Sequence, residues 1–163
     1  MRHVIGVLVE NHFGVLTRIA GMFSSRGFNI DSLAVGETTD PTISRITVVS
    51  HGDDQVIEQI IKQLRKLVDV IRVQDLTSES HLERELVLVK VSCTKNNRAE
   101  IMEIVSIFRA NIVDVGANSL VVEAVGAQRK IEALLDLLNP FGILETARTG
   151  SVGLSRGSQA LKV

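Results

Sequence analysis

The chain has 163 residues, enough for one ordinary domain or two small ones. Its 45% hydrophobic and 23% charged residues make it globular and exclude a disordered chain. A formal net charge of -1, with acids and bases interspersed, excludes a strong global pull toward DNA, RNA or anionic lipid.

The first half predicts six elements. His3 to Glu10 carries V-I-G-V-L-V and reads as a β-strand. Gly14 to Arg26 reads as a helix whose inner face is Val15, Leu16, Ile19, Met22 and Phe23. Gly27 suits a left-handed stop to that helix. Asn29 to Gly36 is a second strand, Asp40-Pro41 a turn, and Ile43 to Ser50 a third strand antiparallel to the second. Asp53 to Leu67 is a helix capped by Asp53 or Asp54, burying Val56, Ile57, Ile60, Ile61 and Leu64. Val70 to Leu76 is the fourth strand.

The order β-α-β-β-α-β is that of the ferredoxin-like split unit, an α+β fold with one antiparallel sheet and two helices on one face. The second half repeats it. Strands are expected at Leu86 to Ser92, Ile112 to Val115, Leu120 to Val125 and Ile143 to Thr149, with helices at Arg98 to Phe108 and Arg129 to Leu138. The helices bury Ile101, Ile104, Val105 and Phe108, and Ile131, Leu134, Leu135 and Leu138. The copies are offset by roughly eighty residues, as two sister domains would be. The polar stretch Thr77 to Glu85 is the expected linker. Small domains with spare apolar sheet faces favour association. A homodimer is expected; the alternative is that the two halves cover each other.

Catalytic signals are weak. No glycine-rich nucleotide motif and no nucleophile elbow occurs. Cys93, the single cysteine, sits among β-branched residues and reads as core; alone it allows no internal disulfide, which fits a reducing compartment. His3, His12, His51 and His81 show no metal-ligand spacing, so no metal is expected. Asp31, Glu37 and Asp40 read as a solvated edge, and Arg45 within a strand as either a salt bridge or an outward position. Aromatics at 3%, with no Trp or Tyr, leave few platforms for bases, so no nucleic-acid partner is expected. The opening apolar run is too short for a signal peptide or a span, and no other run reaches membrane length. The expected location is cytoplasmic.

The best candidate site is the corner Asn11-His12-Phe13-Gly14 that opens the first helix. Asn11 can cap the helix or bond a ligand, and Gly14 admits close approach to the backbone. The N–H groups around Phe13 to Leu16 suit a carboxylate. Asn29 supplies a second carboxamide at a sheet edge, where a partner chain can lie. Two asparagines plus backbone offer the donors and acceptors that an amino acid needs. Capping and turn geometry alone are the plainer reading.

The run N-x-x-G-V-L-x-R-I-x-G-x-F-x-x-R-G-F-N-I-x-S-L-x-V, Asn11 to Val35, resembles the regulatory (small) subunit family of acetolactate synthase, also called acetohydroxyacid synthase. Asp40 to Val49, Lys62 to Val73, Glu83 to Val91 and the tail Thr149 to Gly157 are similar too, so the resemblance spans nearly the whole chain. It implies an ACT domain over residues 1–77, which binds amino acids at a dimer interface. It implies a second ferredoxin-like domain over 78–163, whose glycine-rich tail faces a partner. It further implies a non-catalytic chain that activates a separate large subunit carrying thiamine diphosphate, Mg and FAD. The same resemblance implies allosteric feedback inhibition by valine in branched-chain amino acid biosynthesis. By this resemblance Asn11, His12, Phe13, Gly14, Val15 and Leu16 line the effector pocket, and Asn29 and Ile30 complete it from the neighbouring chain. His12 and Phe13 stand where the family often has other residues, and Phe13 is expected to narrow the pocket. The alternative is a stand-alone amino-acid-binding regulator without an enzyme partner.

Overall fold

The computed structural model describes Met1–Val163, which divide into two compact units: Met1–Leu82 together with Ser151–Val163, and Glu83–Gly150. Both units are α+β, and each contains one antiparallel sheet built in the expected βαββαβ order.

In the first unit the elements are β1 (Arg2–Glu10), α1 (Val15–Ser25), β2 (Ser32–Glu37), β3 (Ile43–His51), α2 (Asp54–Leu64) and β4 (Val70–Asp75). The sheet order is β2-β3-β1-β4. β1 pairs with β3 from Arg2 opposite His51 to Glu10 opposite Ile43, and β2 pairs with β3 from Ser32 opposite Val49 to Glu37 opposite Ser44. Side chains alternate across a strand. One set, Ile5, Val7, Val9, Ile46, Val48 and Val73, therefore packs on Val15, Ile19, Met22 and Phe23 of α1 and on Ile57, Ile60 and Leu64 of α2. α1 stops where expected: Gly27 is left-handed at φ 68°, the Phe28 N–H donates to the Phe23 carbonyl and the Gly27 N–H to the Ser24 carbonyl. α2 is capped by Asp53, whose Oδ1 accepts the Val56 N–H at 2.9 Å. Leu16 departs from the expected inner face and stands 44% exposed.

The opposite sheet face was expected to stay open unless covered. The tail covers part of it. A short strand that the sequence reading did not predict, β9 (Val152–Ser155), pairs with β5 (His81–Ser92), and the Arg156 N–H donates to the Ser80 carbonyl. Gly153 lies on the buried trio Val4, Val49 and Leu76, so closely that an added Cβ would come 2.7 Å from Leu76 Cδ1 and 3.1 Å from Val4 Cγ1. Its carbonyl accepts the Arg45 Nη2 at 2.8 Å, and its N–H donates to Thr47 Oγ1 at 3.3 Å. Arg45 thus points outward from the core, toward the tail rather than an acid, and burial lowers its pKa from the ordinary value. The tail, read from sequence as the end of the second domain, belongs to the first compact unit because this face offers it an apolar trio and matched donors.

In the second unit, β5 continues into α3 (Arg98–Ile107), β6 (Asn111–Val115), β7 (Ser119–Gly126), α4 (Gln128–Leu138), a single 3-10 turn at Asn139–Phe141 and β8 (Ile143–Arg148). The order is β6-β7-β5-β8. Val87, Val89, Val91, Leu120 and Val122 pack on Ile101, Val105, Ile131, Leu134 and Leu138, with Cys93 fully buried among them as expected. The expected linker runs to Glu85, yet β5 already starts at His81. Glu85 is buried and receives Arg148, whose Nη2 lies 3.0 Å from its Oε2. A polar residue that reads as linker is a buried ion-pair partner instead.

Candidate functional site

The corner Asn11 to Gly14 follows the last residue of β1, at the end of the sheet where β2 turns into β3. Asn11 does not cap α1, which has no side-chain cap. Its Nδ2 donates to the Pro41 carbonyl at 2.8 Å and to Glu37 Oε1 at 3.1 Å, and its backbone N–H donates to Thr42. Through its Nδ2 the carboxamide ties the corner to the β2–β3 hairpin. Glu37, read as solvated edge, is the second partner in this tie.

Gly14 occupies the N-cap position at φ 84°, ψ -9°, a conformation that an L side chain resists. The first intrahelical bond is from the Arg18 N–H to the Gly14 carbonyl. The N–H groups of Val15, Leu16 and Thr17 therefore have no partner within the helix, and no acid occupies the first turn. Positive partial charge gathers at this end. Val15 is buried and anchors the turn, while Leu16 and the fully exposed Phe13 flank it from outside. Within a single chain Phe13 narrows nothing: its ring stands in solvent.

His12 belongs to a charge network that sequence spacing did not reveal. Its Nε2 lies 2.8 Å from Asp69 Oδ1 and 3.3 Å from Glu10 Oε2, and its Nδ1 lies 3.1 Å from the Phe13 carbonyl. Arg18 pairs with the other oxygen of Asp69, a buried residue. The Phe13 carbonyl first, and the carboxylates of Asp69 and Glu10 with it, raise the His12 pKa above its ordinary value against an opposing loss of hydration. Glu10, His12 and Asp69 present ligand atoms within 4.8 Å of one another, a grouping the sequence could not show because Asp69 is remote from the other two. Arg18 balances one carboxylate, and His12 the other when protonated, so the trio reads as an ion-pair cluster. A cleft of about 370 Å³ beside it is lined by Glu10, Asn11, His12, Thr42, Ile43 and Ile71.

Asn29 lies at the other end of the sheet. β2 begins at Ser32 rather than at Asn29, and the Asp31 N–H donates to the Val49 carbonyl. The Asn29 Nδ2 donates to Asp31 Oδ1 at 2.6 Å, its carbonyl accepts the Ser50 hydroxyl, and Asp31 meets His51 Nδ1 at 2.6 Å. His51 first, then Asn29, hold the Asp31 carboxyl below its ordinary pKa. Ile30 is half-buried against the core of its own unit. The register thus sets Asn11 and Asn29 apart by about the length of β1, roughly 25 Å at strand rise. One chain brings together Asn11, His12 and Gly14 but not Asn29.

Residues 84–157 match the family "Small subunit of acetolactate synthase", and residues 5–72 match the "AHAS small subunit-like ACT domain". The chain is 51% identical to a probable acetolactate synthase small subunit of Archaeoglobus fulgidus, over 98% of this chain and 99% of that one. It is 49% identical to the acetolactate synthase small subunit of Mycobacterium bovis, over 98% and 95%. The crystal structure of the acetolactate synthase small subunit from Thermotoga maritima superposes with a TM-score of 0.89 at 40% identity, covering 98% and 99% of the two chains.

Proposed function

The chain belongs to the acetolactate synthase small-subunit family, and on that premise we propose that it activates a separate catalytic subunit and confers feedback inhibition by valine. The catalytic partner, on this reading, carries thiamine diphosphate, Mg and FAD. This chain supplies effector binding and contact surface. No helix is long and apolar enough to cross a membrane, which fits the cytoplasmic setting we assign.

The observation that carries the reading is the start of α1. Three N–H groups without helical partners stand behind a left-handed Gly14, with no side-chain cap and no acid in the first turn. A carboxylate of a free amino acid satisfies such groups. An ammonium group needs acceptors, and the Asn11 carboxamide oxygen lies at the same corner. Asn29, about 25 Å away in its own chain, contributes only across two chains. The β2 strand is a free sheet edge along which a second copy can align, so the pocket belongs to a homodimer.

Inhibition then follows from differential binding. Valine shifts an equilibrium between dimer arrangements only to the extent that it prefers one of them. Calorimetric titration of the purified chain with L-valine, against an unrelated amino acid, tests the site. Saturation near one valine per chain supports it. Absence of binding both to the isolated chain and to its complex with the catalytic subunit overturns it. Co-purification with the catalytic subunit separates this role from a stand-alone regulator.

A further inference from the structure

His3 is the second residue of β1 and lies on the helix-facing side of the first sheet, in line with Ile5 and Val7. Its ring is only 4% exposed, and neither Nδ1 nor Nε2 has a hydrogen-bond partner in the protein. A buried imidazole with two unpaired nitrogens is costly unless something else meets it. The ring borders a cleft of about 440 Å³ between the first turns of α2 and the end of β4, lined also by Asp54, Ile57, Glu58, Ile61, Asp75 and Thr77.

The charges of this cleft are unequal. Glu58 is paired with Lys62 at 2.7 Å, and the Met1 ammonium group is held by the Gly52 carbonyl at 2.8 Å. Asp54 makes no side-chain bond, and the Asp75 carboxylate accepts only the Thr77 N–H at 3.0 Å, while its backbone carbonyl accepts the Ser78 hydroxyl. Two carboxylates therefore face the cleft without an ion-pair partner, beside an imidazole without a hydrogen-bond partner, and the Met1 ammonium group that also lines the cleft can balance only one of them. Ile57 and Ile61 form its apolar wall. We propose that this cleft is a binding site for a small aliphatic ammonium compound, with the ammonium group on Asp54 and Asp75, a donor turned to His3, and the alkyl chain on Ile57 and Ile61.

The site is separate from the α1 corner: none of its residues belongs to the Asn11–Leu16 or Asn29–Ile30 segments. It needs no second chain.

The probe is n-butylammonium, with n-butanol as its uncharged counterpart, titrated into the full chain while the His3 ring and isoleucine methyl resonances are followed by NMR. The expected result is a saturable shift at His3, Ile57 and Ile61 with butylammonium and a weaker, unsaturating one with butanol. Asp54→Asn and Asp75→Asn should each weaken binding about ten-fold, as loss of one charge-assisted bond does. Asp54 is exposed on the first turn of α2, so its variant keeps the fold even if that of Asp75 does not. Asn29→Ala should leave the response intact, which separates this site from the valine site. Equal shifts with both compounds, a linear response to the highest concentration, or full binding by Asp54→Asn would overturn the proposal.

Discussion

His12 and Asp69 meet at 2.8 Å although fifty-six residues separate them in the chain. Their pairing fixes the backbone that leads into Gly14, with Arg18 on the second oxygen of Asp69. The sign of its pH dependence is set by His12, whose pKa is raised above 6.5 in the folded chain. Its contribution to stability is complete below the unfolded value and fades as pH rises through the folded one. Denaturant unfolding should therefore show a small loss of stability upward from about pH 6.5 that His12→Gln removes. A ring titration by NMR that is centred below the model-peptide value would contradict this.

Asn11 holds the hairpin and faces the α1 corner at once. Asn11→Ala should weaken valine binding by about ten-fold or more, the worth of one charge-assisted bond at roughly 1.5–3 kcal/mol. It should also speed hydrogen exchange in the Glu37 to Thr42 turn. Asn29→Ala should weaken valine binding without touching that turn. Calorimetry and exchange on both variants check the pair; unchanged affinity in both would remove the corner from the site.

Arg109 ends α3 in the left-handed region at φ 50°, with the Ala110 N–H donating to the Val105 carbonyl. Gly27 does the same service for α1 without a Cβ. Arg109→Gly should therefore stabilise the second unit by about 1 kcal/mol, the strain an L residue carries there. A shift in the denaturant midpoint at constant slope reads it.

Gly153 has no space for a side chain, since Leu76 and the stiff Val4 stand against it. Gly153→Ala should destabilise by about 1–3 kcal/mol through overpacking or detachment of the tail. Increased protease cleavage within Ser151–Val163 distinguishes detachment from a strained but seated tail.

The elements were legible where their causes are local. Asp53 caps α2 and Gly27 ends α1 because both act within five residues, and the apolar stripes of the helices follow from spacing, Leu16 of α1 excepted. The candidate corner was legible for Gly14, which needs only its own backbone. It was not legible for Asn11, because only tertiary structure brings Pro41 and Glu37 within reach of its Nδ2. Asp69 gave no signal, since a lone acid before a strand reads as solvent-facing until the fold sets it beside His12 and Arg18. β9 was missed for a similar reason: four residues including a glycine carry little strand propensity. Its partners lie on a face that the first eighty residues alone leave bare.

The return of the tail to the first sheet makes the first unit discontinuous, interrupted by the whole of the second. During synthesis, every strand and helix of the first unit's βαββαβ core emerges by Leu82, while its remaining piece, Ser151–Val163, follows only after the whole of the second unit. The second unit is continuous and can close as soon as Gly150 is available. The first must wait with Val4, Val49 and Leu76 uncovered. A chain that stops before Ser151 thus leaves bare an apolar face that Gly153 otherwise covers.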